Sequence, residues 1–113
     1  MADYTVTDRS ELDRGDPTSE LQGHQIGAGV SIILVDMPPG AGVRLHRHPY
    51  EEVFVVEEGT ATYRVGSATL AVRAGQILTV SAGVAHAFTN TGEGRLRQVD
   101  IHLSERFVTE WLE

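Results

Sequence analysis

Cysteine is absent from this 113-residue chain, and so is lysine: all nine cationic side chains are Arg. Without Cys there are no disulfides, no thiolate nucleophile and no Cys-based zinc or iron–sulfur site, so any metal has to be held by His and carboxylates. Without Lys there is no Schiff-base amine and no phosphate loop ending in that residue. Aromatics are few, at 6%. No apolar run approaches the roughly 18 to 20 residues that span a bilayer, which points to a soluble protein. Positive charge is in deficit as well: 16 acids against 9 Arg leave a net charge of −7 and a pI near 5.1. That balance repels a phosphate backbone and argues against nucleic acid and anionic membranes as partners. No basic stretch followed by an apolar one is visible at Met1-Ala2-Asp3-Tyr4, so the expected location is the cytoplasm.

What is present is a string of short β-branched runs. Residues 1–23 are polar and acid-rich, broken by Gly15-Asp16-Pro17, and read as an N-terminal arm or irregular lead-in that orders against another subunit. Residues 24–113 read as one domain. Ser31 to Met37 is a strand stopped by Pro38-Pro39-Gly40. Further strands are expected at 43–48, 52–57, 60–65, 68–72, 76–80, 85–89 and 96–103, separated by turns at Gly59, Gly66, Gly75, Gly83 and Gly92-Glu93-Gly94. Short strands at this spacing predict an all-β sandwich or barrel. One helix is expected, over 104–112, with Ser104 as N-cap and Phe107, Val108, Trp111 and Leu112 on one face.

Three of the five histidines fall in two short segments. His46 and His48 are two apart on an expected strand, so both imidazoles leave the same face and can chelate one ion. Glu52 opens the next strand, where its carboxylate comes alongside them. His86 follows a Gly-bearing turn on a strand that can lie opposite. Three imidazoles and a carboxylate suit a first-row divalent ion (Mn, Fe, Co, Ni, Cu or Zn) better than Ca or Mg. Glu51 is the rival to Glu52, but the period of 2 puts Glu52 in phase with Phe54 and Val56 on an interior face.

The two segments resemble the signature of the cupin superfamily. Its first motif, Gly-x5-His-x-His-x3-Glu-x6-Gly, is matched by Gly40, His46, His48, Glu52 and Gly59. Its second, Gly-x5-Pro-x-Gly-x2-His-x3-Asn, is matched by Gly75, Gly83, His86 and Asn90, with Ser81 where the family has Pro. From this composition the first motif arises by chance on the order of two times in ten thousand such chains. The resemblance implies a small double-stranded β-helix, or jelly-roll-like, barrel with His46, His48, Glu52 and His86 turned inward around one divalent transition metal.

Around that set, Arg44 shares the phase of His46 and either clamps a substrate carboxylate or pairs with a surface acid at the rim. Phe54 and Phe88 are expected to shape the pocket walls. His102 lies in phase with Gln98 and Asp100 on the last long strand, either as an acid–base or outer-sphere partner or as hydrogen-bonded structure. His24, in the lead-in, reads as solvated, and Glu57-Glu58 as a turn-side charged pair. Two functions follow from the resemblance. The first is a mononuclear metal enzyme acting on a small organic molecule, of dioxygenase, isomerase or cyclase type. The alternative is a non-catalytic module binding a small ligand or sugar. A storage role is disfavoured by the small size and complete ligand set. No helix-turn-helix segment accompanies the barrel, and the arm together with the apolar C-terminal face suggests a homodimer.

Overall fold

The computed structural model describes residues 3–113. In chain order its strands are β1 (Asp13–Gly15), β2 (Thr18–Leu21), β3 (Ser31–Met37), β4 (Gly42–Arg47), β5 (Glu52–Glu58), β6 (Thr60–Val65), β7 (Ala68–Arg73), β8 (Ile77–Val80), β9 (His86–Asn90), β10 (Leu96–His102) and β11 (Glu110–Trp111). Two short 3₁₀ turns, Arg9–Glu11 and Gly23–Gln25, complete the elements. A six-stranded sheet runs β1-β2-β3-β10-β5-β8 and a five-stranded sheet runs β11-β4-β9-β6-β7. The expected all-β sandwich of jelly-roll type is what forms, and the strands foreseen from residue 31 onward lie within a residue or two of their observed bounds.

Alternation explains the layering. Along β5, Glu52, Phe54 and Val56 are buried while Val53 and Val55 are half-buried; along β10, Leu96, Gln98, Asp100 and His102 are buried. The inner faces of the two sheets meet over Val35, Met37, Phe54, Val56, Tyr63, Val80, Phe88 and Leu96. Phe54, Tyr63 and Phe88 pack edge-on or tilted with centroids 5.2 to 6.1 Å apart, a favoured aromatic geometry. Register then polarises the interior. Leu96 pairs with Met37 at one end of β10, whereas at the other end His102 pairs with both Ser31 and Glu52.

Two loops explain motif residues that bind nothing. Gly59 has φ +86°, and a Cβ there would lie 2.4 Å from the Arg95 carbonyl oxygen, so only Gly fits the β5–β6 turn. Asn90 ties down the β9–β10 loop: its amide donates to the carbonyls of Met37 and Gly94, and its Oδ1 accepts from Gly92 N–H.

Two expectations are corrected. The lead-in is not irregular throughout, because β2 pairs with β3 and β1 pairs with β2 in this same chain. Ser19 and Leu21 lie along the edge of β3, and pairing satisfies backbone groups that an unpaired edge would expose. The C-terminal helix over 104–112 does not form. Instead Phe107 N–H donates to Gln22 Oε1 at 3.0 Å, Val108 N–H donates to the Tyr50 hydroxyl at 3.3 Å, and Glu110–Trp111 pair with Arg47 and His46. A nine-residue helix carrying β-branched Val108 and Thr109 is marginal alone, and tertiary pairing along β4 overrides its apolar spacing.

Candidate metal centre

The strands bring the histidines together from both sheets. His46 on β4 lies directly across from His86 on β9 in the five-stranded sheet. Glu52 on β5 lies across from His102 on β10 in the six-stranded sheet. His48, just beyond β4, sits at the crossing between the sheets. The donor atoms of His46, His48, Glu52 and His86 all lie within 4.8 Å of one another, and all four residues are buried. Glu51, the rival carboxylate, is exposed.

A β-bulge makes this possible. Val43 pairs with Phe88 and His46 with His86, so β4 spends three residues where β9 spends two. The extra residue lets Val43 pack against the apolar core while His46 also turns inward, although their spacing is odd. Gly83, with φ +80°, closes the loop before β9 and donates its N–H to the His48 carbonyl at 2.7 Å.

Each imidazole is oriented by a backbone carbonyl. Nδ1 of His46 donates to Arg44 O at 2.6 Å, Nδ1 of His48 to Val108 O at 2.8 Å, and Nδ1 of His86 to Val84 O at 2.9 Å. A carbonyl only accepts, so the proton of each neutral ring resides on Nδ1 and the Nε2 lone pair faces inward. Two of them face Glu52, Nε2 of His48 and of His86 each lying 3.1 Å from Oε1, and His102 Nε2 lies 3.1 Å from Oε2. Nε2 of His48 and of His102 are buried without a hydrogen-bond partner. Inward lone pairs around a carboxylate form an acceptor set that a cation satisfies, so these residues fit a divalent metal.

Protonation states agree with that reading at His46 and Glu52 and run against it at His86. Burial pushes the His46 imidazole down to about 4, opposed by the Arg44 carbonyl and reinforced by the charges of His86 and His48. Burial works against ionisation of Glu52, yet its contacts with His102, His48 and His86 outweigh this and hold the carboxyl well below the usual range. For His86 burial favours the neutral ring, but the Glu52 contact and the Val84 carbonyl raise its pKa.

The set opens on a cavity of about 400 Å³. Phe54, Phe88 and Phe107 supply aromatic wall, and Phe107 meets His102 edge-on at 5.0 Å. Phe54 and Phe88 both line the cavity. Arg44 is at the rim, but as a cation–π partner: its guanidinium lies 4.8 Å from the Trp111 ring centroid, and among the described residues it makes no ion pair with an acid. His102 is 3% exposed and its Nδ1 lies 2.6 Å from the Tyr50 hydroxyl. His24 is exposed and away from the cluster. Sequence reasoning missed Tyr50, which stacks on His48 at 4.9 Å, and the β1–β2 turn, whose Asp16 and Pro17 line the cavity. Neither carries a local signal, since a Tyr in a turn and a Gly-Asp-Pro breaker are ordinary loop chemistry.

Comparison with known proteins agrees with the geometry. The family model described as the cupin domain matches residues 33–102. Polyketide synthase CurC of Streptomyces cyaneus is 39% identical over 72 residues, covering 63% of this chain and 46% of that protein. The match thus spans about half the length of that relative. Among solved structures, an oxalate oxidase in complex with the substrate analogue glycolate superposes with TM-score 0.78 at 21% identity, over 95% of this chain and 63% of that one. An uncharacterised conserved protein with a double-stranded β-helix domain from Klebsiella pneumoniae gives 0.77 at 20% identity, over 96% of both chains. Bacillus subtilis oxalate decarboxylase, a protein with Mn(II) centres, gives 0.77 at 22% identity, over 84% of this chain and 27% of its own. Identities this low show a shared fold. The family match across most of the barrel, with both motifs folded onto one buried donor set, establishes that the chain belongs to the cupin domain family.

Proposed function

We propose that this cupin is a mononuclear metal enzyme of isomerase or cyclase type, acting on a small oxygenated molecule with a largely apolar body, of the polyketide-derived carbonyl class. The observation that carries the reading is the placement of four buried donors, His46, His48, Glu52 and His86, at the wall of an aromatic-lined cavity. A volume of about 400 Å³ falls in the range of pockets that enclose ring-sized organic ligands. Of the cavity's charged lining, Arg44 is the one guanidinium, while Asp16, Glu20, Glu52 and Asp100 are acids. That balance is poor for a small dianion such as oxalate. The likeness to a polyketide synthase component supports the same choice.

A bound divalent ion would supply Lewis acidity toward a carbonyl or enolate oxygen. The chain's own residues do the rest. The carbonyls of Arg44, Val108 and Val84 hold the three imidazoles in one tautomer, the Tyr50–His102 pair backs the second oxygen of Glu52, and Phe54, Phe88 and Phe107 exclude water from the wall. We read the protein further as a cytoplasmic homodimer, with Leu103, Val108, Trp111 and Leu112 exposed along the C-terminal segment.

The test uses benzoylacetone, a phenyl β-diketone, as probe. Calorimetry on zinc-loaded and metal-stripped protein should show binding that needs the metal, and an oxygen electrode should show no uptake with iron-loaded protein. Oxygen consumption matched to loss of the diketone would contradict the isomerase or cyclase assignment in favour of a dioxygenase. Binding indifferent to metal would contradict the metal-enzyme reading.

A further inference from the structure

The two sheets differ on the faces they turn away from the interior. On the five-stranded sheet that face is polar: Thr62 and Arg64 alternate with buried Ala61 and Tyr63, Thr62 pairs with Thr89 on β9, and Arg64 pairs with Thr69 on β7. On the six-stranded sheet it is aliphatic. Leu34, Val99, Val55 and Ile77 form one cross-strand row over β3, β10, β5 and β8, and Ile32, Ile101 and Val53 form the next. Ile77 is 66% exposed and the others are half-buried. On β10 the usual alternation is inverted. Gln98, Asp100 and His102 are turned inward, where the Tyr63 hydroxyl donates to Gln98 Oε1, Gln98 Nε2 donates to Asp100 Oδ1 at 2.8 Å and His102 meets the Tyr50 hydroxyl, while Val99 and Ile101 point out. β3 reads Ile32-Ile33-Leu34-Val35 without a polar break. A sheet with one solvated face alternates apolar with polar, whereas unbroken apolar runs mark strands covered on both sides.

We propose that the outer face of the six-stranded sheet, centred on Val99 and Ile101, is the surface on which a second copy of this chain docks, sheet against sheet about a two-fold axis. This rests on the homodimer reading and locates its contact, with Leu103, the next residue in the outward alternation and 44% exposed, shared between the face and the C-terminal segment. Four strands about 4.8 Å apart, with outward residues about 6.8 Å apart along each, make a face of roughly 20 Å by 20 Å, on the order of 400 Å² per chain. A contiguous apolar patch of that size marks an interaction surface. Two such faces in contact, with Leu103 and Arg97 at their ends, remove on the order of 1,000 Å² from water, which reaches the lower bound for specific association and suits a reversible dimer. The face is flat and aliphatic, and a second copy presents the same flat rows for sheet-on-sheet packing. Charge supports the same occupant. Arg97 is exposed at the end of the face, across from Asp36 on β3 and Glu58 on β5, and Asp36 is already held by Arg95. Displaced by one strand, the Arg97 of each copy meets the Glu58 of the other. An anionic bilayer is a poor alternative, because a chain of net charge −7 is repelled by it.

The experiment is sedimentation of wild type, Val99→Glu, Ile77→Glu and Leu112→Arg over a concentration series, with circular dichroism and zinc uptake as checks that each variant is folded. The wild type should pass from one chain to two with a dissociation constant in roughly the micromolar range. Val99→Glu puts a charge at the centre of the face in both copies at once and should weaken the dimer by about 100-fold. Ile77→Glu, on the edge strand, should weaken it by about tenfold. Leu112→Arg, in the C-terminal segment, should associate as the wild type does. If Val99→Glu does not fold, Ile77→Glu, at a site already exposed, decides the matter. Dimers undiminished in both face variants and lost in Leu112→Arg would overturn the sheet face while leaving the homodimer standing. A wild type that stays a monomer at every concentration would overturn both, and a monomer that instead floats with phosphatidylcholine vesicles would give the face to a membrane and overturn the proposal.

Discussion

Glu52 is the residue on which the interior turns, because one of its oxygens faces His48 and His86 and the other faces His102. That arrangement makes His102 a support for a ligand, and removing such a support costs metal affinity. His102→Ala is expected to weaken zinc binding by about 10- to 100-fold, measured by competition with a chelating dye. Tyr50→Phe, which keeps the ring on His48 but loses the hydroxyl at His102, should cost only a few-fold; equal losses in the two variants would contradict a supporting role. Asp100 makes a separate prediction about acid. Its folded-state pKa is raised from an ordinary 3.8, so the folded chain holds a proton that the unfolded chain releases. Stability from this group is therefore full below the ordinary value and declines as pH rises toward the folded value. Asp100→Asn should raise the melting temperature of metal-free protein at neutral pH and lose that advantage near pH 3, so a gain independent of pH would refute the assignment. At this scale the choice of Glu52 over Glu51 was legible from a side-chain period of 2, as was the polar phase of Gln98, Asp100 and His102. The partners of that row were not, because Tyr50 and Tyr63 reach it only through tertiary packing.

Among the elements, the C-terminal segment does most that the sequence did not disclose. Its apolar positions fit a helix, and only the fold reveals that β4 has an unpaired edge to offer β11 and that Val108 supplies the carbonyl for His48 Nδ1. Removing residues 108–113 takes away that carbonyl, the Trp111 ring beneath Arg44 and the β11 pairing in one step. The truncated protein should keep a β-rich circular dichroism spectrum while its zinc affinity falls by about tenfold or more; undiminished affinity would contradict the orienting role of Val108. The other strands were readable because turn glycines and β-branched runs are local signals. The bulge in β4 was not, since nothing local marks where an extra residue is inserted. β1 and β2 were hidden for a different reason: short and acid-rich, they derive their stability from the edge of β3 and not from any apolar alternation of their own.

The whole molecule is an acidic shell around a donor set made of acceptors. A net charge of −7 favours the approach of cations, and a metal that binds only the folded state stabilises it by mass action, about 4 kcal/mol when present at a thousand times its dissociation constant. Chelation should therefore lower the melting temperature of metal-loaded wild type and leave Glu52→Ala unaffected. The exposed C-terminal apolar residues make their own prediction at this scale: light scattering should give the mass of two chains, and a monomer at every concentration would contradict the homodimer. The family and its ligand pattern were legible because two motifs of fixed spacing encode a single inward cluster, whereas substrate identity depends on a cavity assembled from both sheets and the β1–β2 turn. Elemental analysis of purified wild type, His86→Ala, Glu52→Ala and the exposed-site control His24→Ala tests the central claim most directly. The account predicts about one transition metal per chain in the wild type and the control, and almost none in the other two. Full metal in His86→Ala and Glu52→Ala, or no uptake by the wild type on titration, would contradict it.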